Sequence, residues 1–583
     1  MRIEWIHIKG FRNFIDEKIN FANQTLIIGA NDIGKSNLIY ALRILFDRSL
    51  SDQDLELNIN DYNVFTDTNE IKITVKISDI KEDCLKTAFK GDIKDEATFI
   101  QYKNNKNGEY AILIGKTEAN LEERPSRFYL KRINLEYVNT NRNLESFIKR
   151  EKKQIIENTK LILSDSQIKD DNNKISEINN NLKIINADID KLNYINKSLD
   201  SVNKEMKLLS IHNENKELNF KAKDSDANQM LANLQLTYSM EEGSLTLGGD
   251  GRSNQIFLAT WVAKQKQINS LEKVTFYAIE EPEAHLHPQQ QKKLSSYLLK
   301  EFEEQVFITT HSPYIASEFK PNRIVKLYSE GVYTKAAQNG CSENLKLTFD
   351  DFGYRLDAIT SDVFFVNGIF LVEGPSEKLF YTALAKELNY DLDRLNISII
   401  SVNGVGFKPY IKICLALNIP FVLRTDNDVF SKTKNKIEYE YNGGISRVMG
   451  IYLEILKVKE ESDLEIYWNK NKIKNEWTKG ISQPLEAKKI ANEIINKINE
   501  FNMFVSDTDL ENDMVNSEIF SSLKKHYKTR TSNSTVKKMQ KAKAENMVNY
   551  LQKNVSELTL LTNNKLLDPL TRIKKLVEES VNG

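Results

Sequence analysis

The sequence predicts an α/β protein in which two α/β units are separated along the chain by a helical insertion and followed by a helical tail. Three observations predict it. Apolar runs that end in glycine or acidic clusters recur in both halves of the chain, the pattern of buried parallel strands that carry functional residues at their C-terminal ends. Between these halves, residues 141–240 are rich in Asn, Lys, Glu and Ile and contain no Gly or Pro. At 583 residues the chain is also too long for one core, so two to four domains are expected.

Composition sets the outer limits. Apolar residues make up 40% and charged residues 28%, an ordinary balance for a soluble globular protein. No apolar run approaches the ~18 residues of a membrane span, and the start "MRIEWIHIKG" lacks the apolar core of a signal peptide, so a cytoplasmic protein with no membrane association is expected. Cys84, Cys341 and Cys414 lie far apart, which argues against a disulfide framework or a zinc ribbon. The net charge of -1 supplies no global basic field, so a nucleic-acid partner must be held by local patches.

The first α/β unit opens with alternating apolar and polar residues, "RIEWIHIKGF", and reaches "LIIGANDIGKSN". Gly29, Asn31, Gly34, Lys35 and Ser36 fall in a GxxxxGK[ST] pattern between an apolar strand and a helical stretch. Loop amides and the helix N-terminus would cradle phosphates, Lys35 would reach the terminal phosphates and Ser36 would ligate Mg²⁺. Later, "TFYAIEEPE" ends an apolar run with Glu280 and Glu281, suited to holding Mg²⁺ and orienting water, and "VFITTH" delivers His311 towards a γ-phosphate. Gly248, Gly249 and Gly251, before a helix, suit a phosphate contact made in trans. His285 and His287, with no further ligand nearby, are read as structural.

These residues resemble the ATP-binding-cassette (ABC) class of ATPase heads found in RecF and SMC-like proteins. The string "LGGDGRSNQ" departs from that class's LSGGQ, and Glu280 stands where aspartate is usual. The resemblance implies ATP binding and leaves open whether ATP is hydrolysed or only sensed. Inside the insertion, Ile178, Leu182, Ile185, Ile189, Leu192, Leu199 and Met206 keep a heptad spacing, which predicts a coiled-coil-like arm.

The second α/β unit carries the other chemistry. In "IFLVEGPSEKLF", Glu373 ends an apolar run and Glu377 follows one helical turn later; in "FVLRTDND", Asp426 and Asp428 sit two apart after another run. Neighbouring parallel strands would gather all four acids, and a hard divalent cation with oxygen ligands is the simplest relief of their repulsion. A strand-end Glu with a later DxD resembles the Toprim domain of topoisomerases, primases and certain nucleases. Asp509 and Glu511 add a third acidic pair, more than one metal needs; two ions ~3.5 to 4 Å apart would use them all. Residues 524–543 then hold eight Lys or Arg and no acid, as phosphate-backbone binding requires.

The order of "FRNF", "NDIGKSN", "EEPE", "THSP", "LVEGPSEK", "TDND", "DLEND" and "KAENMV" resembles the OLD (overcoming lysogenization defect) family of nucleases, most of all its Gabija anti-phage branch. The resemblance implies an ABC ATPase head over 1–140 and 236–345, split by a helical dimerisation arm over 141–235, and a Toprim nuclease domain with a helical C-terminal extension over 346–583. It implies a nucleotide-regulated DNA endonuclease with ATP and two Mg²⁺ (or Mn²⁺ or Ca²⁺) per nuclease site. Glu373, Glu377, Asp426 and Asp428 would hold one ion, and Asp509 and Glu511 would complete the second. Lys543, with Lys541 as the alternative two residues earlier, would stabilise the transition state. Double-stranded DNA, a homodimer or homotetramer, and a UvrD-like helicase are the implied partners. A non-catalytic DNA clamp using Toprim for docking is the competing reading, against which the extra pair Asp509 and Glu511 counts.

Overall fold

The computed structural model describes every residue except 67, 108, 161–162, 221–226, 233, 235–236, 241–242, 247–248, 269–272, 342–361, 404–405, 435, 458–461 and 583. Gly248 and the expected boundaries at 235/236 and 345/346 lie outside the described residues. The chain divides into two compact units, one of Met1–Thr140, Leu271–Glu283 and His287–Gly583, the other of Asn141–Ser270 and Ala284–Leu286.

The first unit begins with an antiparallel sheet in the order β2-β1-β4-β5-β6-β7, formed by Arg2–Phe11 (β1), Phe14–Asn20 (β2), Glu70–Ser78 (β4), Thr98–Asn105 (β5), Tyr110–Thr117 (β6) and Asn120–Arg124 (β7). Alternation in β1 and β4 buries Ile3, Ile6, Ile8, Ile71, Ile73, Val75 and Ile77 on one core, as a half-buried sheet requires. A second sheet runs β14-β13-β3-β12-β11-β8, formed by Gln24–Ile28 (β3), Ile133–Val138 (β8), Val274–Glu280 (β11), Val306–Thr309 (β12), Ile324–Glu330 (β13) and Tyr333–Ala336 (β14). All its pairings are parallel except β13 with β14. The glycine loop connects β3 to the helix Lys35–Phe46, so phosphate-type residues stand at a strand C-terminal end.

The same unit holds a four-stranded parallel sheet in the order β16-β15-β17-β21: Gly368–Val372 (β15), Ile397–Ser401 (β16), Phe421–Thr425 (β17) and Met503–Val505 (β21). β15 and β17 are buried along their whole length, which explains their unbroken apolar sequences. A small antiparallel sheet, Val429–Lys434 (β18), Ile437–Asn442 (β19) and Glu476–Thr478 (β20), follows at once from the end of β17. The final helix Asp568–Asn582 packs on β13, β15 and β17, with Val577 and Ile573 against the bare backbone of Gly368.

The second unit contains the helices Leu144–Lys160, Asp165–Ile189, Asp200–Leu209 and Asp250–Ile268 and the hairpin Thr237–Met240 (β9) with Gly243–Thr246 (β10). The heptad spacing does not run through one helix. It holds from Ile178 to Ile189, after which a break and the short helix Asn193–Asn196 interrupt it before Asp200. Leu182 is buried, whereas Ile178, Ile185, Ile189 and Leu192 are exposed in the single chain. Gly251 backs onto the His285 carbonyl, where a Cβ would lie at 2.4 Å, so it serves close packing within this unit.

Candidate functional site

Asn31, Asp32, Gly34, Lys35, Ser36, Asn37, Glu281 and His311 line one cavity of about 700 Å³ at the C-terminal ends of β3, β11 and β12. Gly34 stands at the start of the helix Lys35–Phe46 with φ +102°, and a Cβ there would lie 2.1 Å from the Asn13 amide, so only glycine fits. Lys35 turns its ammonium onto the carbonyls of Gly29 and Ala30, at 3.0 and 2.8 Å. Burial lowers its pKa to about 8, with Glu281 and Asp32 opposing. His311 lies 3.6 Å from Glu281, and burial together with Lys35 holds its pKa below the usual value.

Two expected residues stand elsewhere. Glu280 is buried outside the cavity lining and accepts a hydrogen bond from the Tyr137 hydroxyl at 3.0 Å. Gly29 lines a neighbouring cavity of about 680 Å³ shared with Lys326, Cys414 and the final helix. Glu283, which carried no role in the sequence reading, accepts from the His311 amide at 2.8 Å and the Thr310 hydroxyl at 2.6 Å, fixing the turn that presents His311.

The acids of the second half converge from three segments, and a lysine joins them from a fourth. Glu373 follows β15 and accepts from the Asp426 amide at 3.2 Å, just beyond β17. Asp426, 3% exposed, accepts from the Leu510 amide at 3.1 Å, which ties the DxD loop to the start of the short helix Leu510–Val515. Asp509 caps that helix, accepting from the Asn512 amide at 2.8 Å. Lys543 closes the group, 3.0 Å from Glu511 and 3.4 Å from Asp426, while Lys541 is exposed. Glu377 is buried in the first turn of the helix Pro375–Glu387 and accepts from the Gly374 amide at 3.1 Å, so it also caps its own helix. Asp428 is exposed at the mouth of the loop.

Crowding and burial oppose full ionisation. Burial raises the Glu373 pKa despite Thr425 and Arg447, and burial with the neighbouring Asp426 raises those of Glu377 and Asp428. Burial pushes Glu511 up to about 7 even with Lys543 beside it. At Lys543 burial works against the charged form, but Glu511 and Asp426 outweigh it and hold the ammonium firmly protonated.

Cations lie among these acids. Arg447 ion-pairs with Glu373 and contacts the Thr425 hydroxyl. Arg424, 4% exposed, lies 2.6 Å from Asp513 and 3.7 Å from Asp426, which gives Asp513 a structural partner rather than an open ligand position. Among the described residues no three His, Cys, Asp or Glu side chains stand together in a geometry that could hold one metal ion. The donor chemistry nevertheless fits hard divalent cations: all six expected ligands are carboxylates, and Glu511, 1% exposed, has an Oε1 without a hydrogen-bond partner.

Sequence reasoning missed Arg447, Arg424 and Gln540. Gln540 donates to Asp509 at 2.5 Å. The only trace it leaves in the sequence is its place three residues before Lys543 in the acid-free run.

A phosphate-loop cavity and a strand-end acid cluster on one chain define an ATPase joined to a Toprim domain. The model of the AAA ATPase domain family matches residues 1–316, more than half of the chain, and the chain belongs to that family. Residues 364–428 match the overcoming lysogenization defect protein-like TOPRIM domain. With both parts in this order, the chain is similar to the OLD family of nucleases. Endonuclease GajA of Bacillus cereus (strain VD045) is 26% identical over 581 residues, covering 94% of each chain. The OLD nuclease of Thermus scotoductus is 30% identical over 241 residues, which cover 37% of this chain and 45% of that one. The C-terminal region of the Burkholderia pseudomallei OLD protein is 20% identical with a TM-score of 0.24, covering 36% of this chain and 99% of that one.

Proposed function

We propose that this protein is a nucleotide-regulated, divalent-metal-dependent DNA endonuclease that acts in bacterial anti-phage defence in the cytoplasm. The observation that carries the reading is the convergence of Glu373, Asp426, Glu511 and Lys543 on one network of contacts, with Asp509 beside it as the cap of the helix that carries Glu511. A docking module has no use for so many buried acids around one lysine. The full-length similarity to a protein named endonuclease GajA supports it, and the Gabija setting suggests a helicase-like partner.

In this reading Glu373, Glu377, Asp426 and Asp428 would hold one Mg²⁺, and Asp509 and Glu511 would complete a second site. Bound there, the ions would supply positive charge to activate water and to stabilise the 3′ oxygen leaving a phosphodiester. Lys543 holds a proton beside Glu511 and Asp426 and offers it to the charge that develops on the phosphate. Asp426, fixed by the Leu510 amide, keeps β17 and the Asp509 segment in register. In the head, Lys35, Ser36 and the loop amides would hold ATP phosphates in the cavity that Glu281 and His311 also line. Domain roles follow the sequence division into a head over 1–140 and 236–345, an arm over 141–235 that assembles a homo-oligomer, and a nuclease over 346–583.

The test is incubation of the full-length protein with supercoiled plasmid in Mg²⁺, Mn²⁺ or Ca²⁺, with and without ATP, beside Glu373→Ala and Asp509→Ala. Nicked or linear product from the wild type and none from the variants is expected. Intact plasmid under every condition would overturn the proposal.

A further inference from the structure

The three-stranded sheet β18-β19-β20 has no part in the chemistry above, yet it starts one residue after Asp428. Its register sets two faces. Phe430 pairs with Tyr441, Lys432 with Tyr439 and Lys434 with Ile437, so these six side chains share one face. On the opposite face Trp477, 6% exposed, donates its indole N–H to Glu440 at 3.0 Å, while Val429, Ser431 and Thr433 are exposed and carry neither an aromatic ring nor a charge.

The open face carries the exposed ring of Phe430, the half-buried rings of Tyr439 and Tyr441, and two lysines. Phe430 remains 44% exposed and Ile437 49% exposed. The Phe430 ring rests on the backbone of Gly443, where a Cβ would lie 2.1 Å away, and tilts against Tyr441 with centroids 6.3 Å apart. Lys432 sits 4.8 Å over the Tyr441 ring. Lys432 and Lys434 share one counter-ion, Glu476, at 2.5 and 3.0 Å, which leaves the face with excess positive charge. Rings that are held in place but still exposed offer flat surfaces to a base, and lysines between them offer charge to the backbone that links successive bases. Gly443 also donates its amide to the Asp428 carbonyl at 2.7 Å, so the backbone under Phe430 is bonded to the DxD loop itself.

We propose that the Phe430, Tyr439 and Tyr441 face is a stacking platform for an unpaired DNA strand, which it delivers to the acid cluster at Asp428. Duplex ends, gaps and unwound segments would then be preferred to continuous duplex, because only they expose base faces. The inference deepens the nuclease reading and rests on it for the choice of DNA.

The test uses the full-length protein in EDTA, where binding is read without cleavage. Fluorescence anisotropy is recorded with a fluorescein-labelled oligothymidine of about 20 nucleotides and with a blunt duplex of the same length, a span suited to one stacking surface. Phe430→Ala and Tyr441→Ala are each expected to weaken oligothymidine binding about tenfold, Phe430→Trp to retain it, and duplex affinity to change less than threefold. Unchanged oligothymidine affinity in both alanine variants, at an unchanged thermal midpoint, overturns the platform. Equal losses on both DNAs also overturn it, since backbone contact alone would produce them. Plasmid cleavage by the wild type is scored separately. Cleavage with unaltered oligothymidine binding in the variants sinks the platform and leaves the nuclease standing; platform-dependent binding without cleavage under any metal does the reverse.

Discussion

The ammonium of Lys543 stands 3.0 Å from a carboxylate oxygen of Glu511, a side chain only 1% exposed. A buried acid tolerates its charge only with a partner, and this lysine also reaches Asp426 at 3.4 Å. Lys543→Met therefore removes the counter-charge of two acids and, in the proposed mechanism, a donor to the developing phosphate charge. Plasmid cleavage is expected to fall ~100-fold or more, the scale for loss of one preorganised donor. Cleavage within threefold of wild type, measured at saturating Mg²⁺, would show that Lys543 has no role in the chemistry.

Gln540 acts one step away, holding Asp509 at 2.5 Å while Asn512 holds its other oxygen. If Asp509 holds a metal as proposed, removing such a support typically costs 10–100-fold in metal affinity or activity. For Gln540→Ala the half-saturating Mg²⁺ concentration in plasmid cleavage is expected to rise about tenfold, with a smaller change in the maximal rate at saturating metal. A drop in maximal rate with unchanged metal dependence would place Gln540 in another role.

The parts of this arrangement that were legible in the sequence are those written locally. Buried strands β15 and β17 announce themselves as apolar runs, and an acid that ends such a run must stand at the sheet's functional edge. Lys35 and Ser36 were legible for the same reason, a glycine loop caught between strand and helix. Arg447, Arg424 and Gln540 were not, because each reaches its acid only through packing between distant segments. The same limit applies to the arm: side-chain spacing cannot register the break after Ile189, where the backbone leaves the helix although the apolar period continues.

Lys326 gives a pH signature away from the acids. It lies 7% exposed in β13, donates to the Val366 carbonyl at 3.3 Å, and burial lowers its pKa from 10.5 to about 7. A lowered lysine pKa means that the unfolded chain binds more protons between those two values, so stability rises with pH across that window. Below pH ~7 the native state carries the full cost of the buried charge, at most ~5 kcal/mol at 1.36 kcal/mol per unit. Lys326→Met is expected to raise the thermal midpoint by several degrees at pH 6 and hardly at all at pH 10. An equal gain at both values would show that the lysine is not titrating in the fold.

Divalent metal is expected to reverse an opposite trend. The pKa of Glu511 is raised from 4.5 to about 7, and those of Glu373, Glu377 and Asp428 are also raised, burial being the first cause in each. A raised acid pKa stabilises fully below the unfolded value, and that contribution is lost as pH rises through the folded value. The metal-free protein should accordingly lose stability between pH ~4.5 and ~7 from Glu511, leaving a cluster of carboxylates that Lys543, Arg447 and Arg424 compensate only in part at pH 8. In the proposed reading Mg²⁺ would bind the ionised acids and replace the missing protons, adding about 2.7 kcal/mol when present at 100 times its dissociation constant. Calorimetry in EDTA should thus show a lower thermal midpoint at pH 8 than at pH 5.5, with most of the difference recovered by Mg²⁺ at pH 8. In Glu511→Gln the metal-free decline should be shallower and the Mg²⁺ gain smaller, because one permanently neutral side chain replaces an acid that must otherwise ionise. A Mg²⁺ gain equal to wild type in that variant would remove Glu511 from the ligand set.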